Sequence, residues 1–284
     1  MNTQTAHIIS QAIRYIEEHL NQKLDLDMVA GALHYSKYHL HRMFKRTVGL
    51  TLHDYVRRRQ ITEAAKLLVA SDKTIMEIAV ISGYESQQAF HDIFKAMYKV
   101  TPGEFREAEE FYPLQHEIRL NVTTGKRNFT KDDIRFAKPS DMVDWMELVR
   151  LAVDGFPRLN EAEYTENLKR RIADKEAMIL RDRGAAVGIM VFSAEAGAIE
   201  FLAVHPQYRN LGITKIFLER LADGLICGRE VSITTYREGD KADTGYRKEY
   251  RSLGFAEREL LVEYGYPTQR FVFCMKSGEE ARYE

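Results

Sequence analysis

Between Met28 and Arg106 the apolar positions fall twice into the same order. In "MVAGALHYSKYHLHRMFKRTVGLTLHDYV" (Met28–Val56) a short apolar stretch around Ala30 leads to a polar turn, a serine, and then Leu40, Met43 and Phe44. In "MEIAVISGYESQQAFHDIFKAMYKVTPGEFR" (Met76–Arg106) the order returns around Ala79, with Phe90, Ile93 and Phe94. Setting Phe44 on Phe94 puts Ser36 on Ser86, Leu40 on Phe90, Lys45 on Lys95 and Thr51 on Thr101. Apolar residues at i, i+3 and i+4 mark one face of a helix, and a serine ahead of them is an N-cap. Each copy therefore predicts two short helices around a tight turn, a helix-turn-helix whose second helix can enter a major groove. The stretch between them, "TLHDYVRRRQITEAAKLLVAS" (Thr51–Ser71), holds no Pro or Gly. It predicts one helix of about 30 Å. That is close to the ~34 Å turn of B-DNA, so the rod can space two reading helices into successive grooves.

Beyond residue 110 the period changes. A polar connector carries one alternating run, Ile118, Leu120 and Val122, which predicts a connecting strand within 111–132. "IRFAKPSD" then reads as a strand, Met142–Phe156 and Glu161–Asp174 as helices, and "AMILRD" with "AAVGIMVFSA" as a hairpin about Arg183-Gly184. "AIEFLAV" is a buried strand, and Thr214–Cys227 an amphipathic helix through Ile216, Phe217, Leu221 and Ile226. Strand "EVSITTY", helix Thr244–Leu253 and strands "RELLVEY" and "RFVFCMK" complete the series. Helices and strands in alternation predict an α/β domain. The chain of 284 residues has room for two cores. The expected domains are a helical one over 1–110, a linker over 111–132 and an α/β one over 133–277.

Composition narrows the class. With 45% hydrophobic and 29% charged residues the chain reads as an ordinary soluble one. No window approaches about eighteen apolar residues in a row, so no membrane span is expected. "MNTQTAHIISQAIRYIEEHL" reads as an amphipathic helix and not a leader, and a cytoplasmic, bacterial protein is expected. Cys227 and Cys274 have no metal or redox spacing, which predicts two inert thiols and no metal site. A net charge of −1 says nothing about nucleic acid, but its distribution does. The span Lys37–Lys66 sets eight Lys and Arg against Asp54 and Glu63, and seven of nine histidines precede residue 111. Opposite its apolar face the first reading helix presents Lys37, Tyr38, His39, His41, Arg42, Lys45 and Arg46. The second, capped by Ser86, presents Gln87, Gln88, His91, Asp92 and Lys95. Arg can pair with guanine and Gln with adenine through two hydrogen bonds, while Lys neutralises phosphates. Double-stranded DNA is the expected partner.

Three segments carry a resemblance over about Thr5–Glu107. They are "S-x-x-x-L-x-R-x-FK" (Ser36–Lys45), "I-x-x-I-A-x-x-x-G-Y" (Ile75–Tyr84) and "F-x-x-x-F-K-x-x-x-x-x-TP-x-x-F-R" (Phe90–Arg106), joined by the arginine-bearing connector. In these the region resembles the AraC/XylS-type DNA-binding domain. The resemblance implies an all-α double helix-turn-helix that binds a promoter or operator, with RNA polymerase among its expected partners. Two positions depart from the pattern: Lys99 stands where a glycine usually precedes the Thr-Pro, and Asp92 occupies a position often friendly to DNA.

In the second half the chemistry gathers at "VHPQYRNLGIT" (Val204–Thr214), between a strand and a helix. Gly212 lets the backbone turn tightly against an anion. The helix start behind it offers free N–H groups and partial positive charge, to which Arg209 and Lys215 add full charges. Across about Ile134–Lys276 the chain resembles the Gcn5-related N-acetyltransferase (GNAT) fold, where such an R-x-x-G-x loop binds the pyrophosphate of acetyl-CoA. The resemblance implies acetyl-CoA, or another acyl-CoA, held by Arg209, Asn210, Leu211, Gly212, Ile213, Thr214 and Lys215. Pantetheine is then expected along the splayed strand at Leu202, Ala203 and Val204. "EYRSLGF" (Glu249–Phe255) carries Tyr250 at the position of the acid that protonates the departing thiolate, although its i, i+4 spacing from Tyr246 also suits a core residue. Glu200, on the strand leading into the loop, is the carboxylate expected to take the proton of an incoming amine. Here Thr214 replaces a small Gly or Ala, Thr244 an asparagine and Tyr246 an alanine of the family pattern. The whole reads as a regulator whose second half senses or N-acetylates a small amine, or as an acetyltransferase with a self-regulating DNA domain.

Overall fold

The computed structural model describes residues 3–120, 128–152, 160–223 and 230–274. The chain divides into two compact units, the first reaching to Arg127 and also taking in Asp240–Thr244, the second taking up the rest of the α/β sequence. The helical unit thus runs past the boundary expected at residue 110. No described helix is long and apolar enough to cross a membrane.

The helical unit follows the repeat. Its helices are α1 (Thr3–Glu18), α2 (Leu26–Ala32), α3 (Lys37–Val48), α4 (Leu52–Ala70), α5 (Ile75–Ile81), α6 (Gln87–Tyr98) and α7 (Pro102–Glu107). Side chains set most of the starts. Asp25 accepts from the N–H of Met28, Thr51 from that of Asp54 and Ser86 from that of Ala89, and Thr74–Glu77 and Thr101–Glu104 form reciprocal capping boxes. Each capped donor is worth about 1 kcal/mol to its helix. Ser36 sits at its N-cap without a side-chain bond. The apolar faces close on α4: Ile61, Ala64, Ala65 and Leu68 pack with Ile78, Phe90, Phe94, Tyr98 and Phe105.

Residues 111–120, where the alternating run predicts a strand, adopt none; Val122 lies outside the described residues. The segment instead lies along α4. Leu114 enters the helical core, and the N–H groups of Leu114 and Gln115 donate to Thr62 Oγ1 at 3.2 and 3.1 Å. Its buried donors are satisfied by a helix, so no sheet is needed.

The second unit is a seven-stranded sheet in the order β1-β2-β3-β4-β5-β7-β6. Its strands are β1 (Arg135–Phe136), β2 (Ala177–Asp182), β3 (Ala185–Ser193), β4 (Ala198–Val204), β5 (Glu230–Tyr236), β6 (Ala256–Glu263) and β7 (Tyr266–Cys274). The helices are α8 (Met142–Ala152), α9 (Glu161–Ala173), α10 (Ile213–Ala222) and α11 (Tyr246–Ser252). The β2–β3 turn is as expected, with positive φ at both Arg183 and Gly184. β1 is shorter than predicted, because Pro139 opens a turn of 3₁₀ helix over Pro139–Asp141. α11 starts later than the predicted Thr244, and α10 one residue earlier than the predicted Thr214. The expected ends of α8 at Phe156 and α10 at Cys227, with Ile226, lie outside the described residues.

All neighbouring strands are antiparallel except β4 and β5, which run parallel and pair only at Ala198↔Ser232 and Ile199↔Ile233. Beyond that the two strands part. This is the α/β arrangement that the acetyltransferase resemblance implies. The core lies between the sheet and α10, where Phe217, Leu221, Ile199, Val204 and Phe271 meet. Gly188 on β3 permits that approach, since an added Cβ would stand 2.7 Å from the Phe217 ring.

Candidate DNA-reading helices and coenzyme cleft

The two second helices of the repeats bury one face and show the other. In α3, Leu40, Phe44, Thr47 and Val48 are buried, while Tyr38, His39, Arg42, Lys45 and Arg46 are exposed and Lys37 and His41 half-buried. Lys37 Nζ is committed to Asp27 at 3.1 Å. In α6, Phe90, Phe94, Met97 and Tyr98 are buried; Gln87, Gln88, Asp92 and Lys95 are exposed, as is the capping Ser86, and His91 is half-buried. Every residue expected to read DNA therefore lies on the face away from the core.

The basic patch read from Lys37–Lys66 is smaller than its count. Arg58 and Arg59 are turned inward and buried. Arg58 donates to the carbonyls of Leu114 and Ala242 at 3.1 and 3.0 Å, and Arg59 Nη2 pairs with Glu17 at 2.7 Å and Glu63 at 2.9 Å. A helix of 19 residues must point some side chains at its own core, and these two cations lie on that side. The exposed cations that remain on α3 are enough to make one helix strongly basic. α3 holds four Lys and Arg and no carboxylate, whereas on α6 Lys95 is balanced by Asp92. The departure at Lys99 is resolved as well. It takes the left-handed φ of 66° at the end of α6, and its Nζ meets Asp240 at 2.7 Å.

In the α/β unit the loop after β4 forms a turn of 3₁₀ helix (Pro206–Leu211) that ends at Gly212 with φ 69°. Nothing lies within 4 Å of where a Gly212 Cβ would stand, so the backbone there faces open space. α10 follows at once. Its first intrahelical acceptor is the Gly212 carbonyl, bonded by the Ile216 N–H at 3.2 Å, so the N–H groups of Ile213, Thr214 and Lys215 have no carbonyl within the helix. Arg209 lies over the Tyr246 ring at 5.6 Å, its Nη2 3.5 Å from the Tyr246 hydroxyl. Leu211 and Lys215 are exposed, and Asn210 is also at the surface. Leu202 is half-buried, Ala203 and Val204 buried, on the stretch of β4 that has left β5. The loop, the helix start and the parted strands thus lie side by side in the chain and in the fold.

Two groups of this region carry no signal in the sequence pattern. Glu249 is bonded by the Thr214 hydroxyl and lies near Arg209; burial raises its pKa against the opposing pull of both. His205, between β4 and the 3₁₀ turn, accepts the Gln207 N–H on Nδ1 at 3.2 Å. Burial, with the Arg209 charge beside it, lowers His205 to about 4.

Of the two expected catalytic residues, Tyr250 is 4% exposed and packs with Tyr246, Phe255 and Phe271. Glu200 is the extra residue of a bulge: Ile199 pairs with Phe192 and Phe201 with Val191, leaving Glu200 unpaired in the ladder. The bulge turns it toward α9, where Arg171 pairs with both Glu200 and Glu176. Tyr250 belongs instead to the core on the α10 side, so the fold does not bring the two side chains together. No cluster of His, Cys, Asp and Glu that could hold a metal is found among the described residues.

A family model described as "Helix-turn-helix domain" matches residues 29–108. The chain is 40% identical over 103 residues to the Probable transcription factor PqrA of Proteus vulgaris, covering 36% of this chain and 84% of that protein. It is 40% identical over 99 residues to the Regulatory protein SoxS of Escherichia coli (strain K12), covering 35% of this chain and 92% of that protein. Among solved structures, a GNAT-family acetyltransferase from Bacillus cereus ATCC 10987 aligns with 50% of this chain and 96% of its own length, at 14% identity and a TM-score of 0.40. With two α4-centred helix-turn-helix repeats, reading faces turned away from the core, and relatives matched over most of their length, the chain belongs to the AraC family of DNA-binding transcriptional regulators.

Proposed function

We propose that this regulator reads its operator with α3 and α6 and that its α/β unit binds acetyl-CoA, or another acyl-CoA, to sense or N-acetylate a small amine. The observation that carries the coenzyme half is the early parting of β4 from β5, which pair at two positions only, directly ahead of the open Gly212. A parted strand leaves main-chain donors and acceptors for an amide-bearing chain, and the α10 start offers N–H groups and positive potential to a pyrophosphate. Arg209 and Lys215 supply the full charges. Bound there, acetyl-CoA would supply the acyl group for transfer to an amine.

The side chains favour sensing over turnover. Glu200 is held by Arg171 on the α9 side, away from Tyr250, and Tyr250 is packed among aromatic rings. A ligand can alter operator affinity only by binding two states of the protein differently. Thermal-shift titration with acetyl-CoA and free CoA tests the coenzyme reading, because a ligand of the folded state stabilises it by RT ln(1 + [L]/Kd). The expected result is a saturable rise in melting temperature, lost in Gly212→Asp, whose residue tolerates the left-handed backbone while placing a carboxylate in the cradle. No shift with either compound sinks the coenzyme assignment. Release of free thiol with an amine panel would turn the reading toward an acetyltransferase that controls its own synthesis.

A further inference from the structure

We propose that Asp92 sets which base the second reading helix accepts, by holding the side-chain amide of Gln88 in one orientation. The two are one turn apart on the exposed face of α6, and Gln88 Nε2 donates to Asp92 Oδ1 at 2.8 Å. A carboxylate can only accept, so the NH₂ end of the amide must face Asp92 and the carbonyl oxygen must face away. One amide hydrogen is then committed. What Gln88 has left to offer is one donor beside one acceptor, which is the complement of adenine N7 and N6 in the major groove. It can no longer turn both hydrogens to the two acceptors of guanine, N7 and O6. The same carboxylate oxygen lies 3.6 Å from His91 Nδ1, so Asp92 stands between two side chains of the reading face.

The charge of the two helices gives the arrangement its consequence. α3 brings Arg42, Lys45 and Arg46 exposed, with Lys37 held by Asp27, and has no carboxylate of its own; on α6, Asp92 offsets the one charge of Lys95. A carboxylate on a face turned to phosphates weakens binding to every duplex, right or wrong, through repulsion. Specificity is a difference of affinities, and it can be raised by a group that lowers both. The first helix therefore supplies salt-dependent affinity, and the second supplies discrimination with little affinity of its own.

The inference rests on duplex DNA as the partner. The full chain and its Gln88→Ala, Asp92→Ala and Asp92→Asn variants would each be selected against a random duplex library at one low salt concentration. Fluorescence anisotropy would follow on the enriched duplex and on its adenine-to-guanine change at the position whose preference Gln88→Ala abolishes. The wild type should prefer adenine there by about tenfold. Asp92→Asn, which keeps an oxygen for the amide, should bind all duplexes several-fold more tightly and retain the preference. Asp92→Ala should also bind more tightly, with the preference reduced to within about twofold. Retention of the wild-type preference in Asp92→Ala overturns the proposal, as does Gln88→Ala leaving every position unchanged. A wild type that enriches no sequence would instead sink DNA reading itself.

Discussion

His205 shows how much one side chain can report. Half-buried beside Arg209 and lowered to about 4, it stays neutral in the folded protein under conditions that protonate it in the unfolded chain, where its value is 6.5. The unfolded state therefore binds the proton first, and stability falls as pH drops from about 6.5 toward about 4. Imidazole signals followed by NMR should show His205 titrating near 4, and His205→Gln should flatten the loss of stability across that window. Asp141 acts in the same direction at lower pH. It is bound by Arg135 and Arg181, each at 2.7 Å, and lowered to about 2 chiefly by the Arg135 hydrogen bond. Its contribution is complete above 3.8, the unpaired value, and is lost as pH falls through about 2. Asp141→Asn leaves two guanidinium groups without their carboxylate and should destabilise the α/β unit by about 3 kcal/mol in denaturant titration. On the DNA side, exposed Arg42 should cost roughly 1–3 kcal/mol of operator affinity when changed to Ala, if it reads a guanine. Unaltered binding would remove it from the interface.

At the scale of elements, what local chemistry fixes was legible and what neighbours fix was not. Ser86 caps α6 as its place ahead of the apolar face predicts, although Ser36 makes no such bond at α3, and Arg183-Gly184 turns a hairpin, because both depend on residues a few positions apart. The bulge at Glu200 had no such sign, since it is defined by the partner strand β3. Residues 111–120 alternate like a strand yet bond to Thr62 and the Tyr55 hydroxyl, a choice made by α4. The candidate site divides in the same way. Arg209–Lys215 runs from the turn after β4 into α10, as the sequence pattern predicts, while Glu249 reaches it only through its bond from Thr214. Close approach between elements has a direct test in Gly188. Its change to Ala places a methyl 2.7 Å from Phe217, and overpacking of this kind should cost about 1–3 kcal/mol. In calorimetry the melting temperature should fall by several degrees.

Over the whole molecule, charge and chain path say more than composition. A net charge of −1 conceals a strongly basic α3, so operator affinity should fall steeply with salt, each phosphate contact adding about −0.9 to the log–log slope. Lys45→Ala should reduce that slope by about one contact and leave base preference unchanged. The division into two units was legible in the switch from helical to mixed periodicity, but its path was not. Asp240–Thr244, which follows β5 in the sequence, is built into the helical unit: the Asp240 carboxylate is 3% exposed against Lys99, and Ala242 is fully buried beneath Arg58. A fragment ending at Arg127 would leave Arg58 without the Ala242 carbonyl and Lys99 without the Asp240 carboxylate, and its α4 and α6 amides should exchange with solvent faster than in the intact protein. The helical unit is thus written in two pieces of the chain, with most of the sheet strands encoded between them.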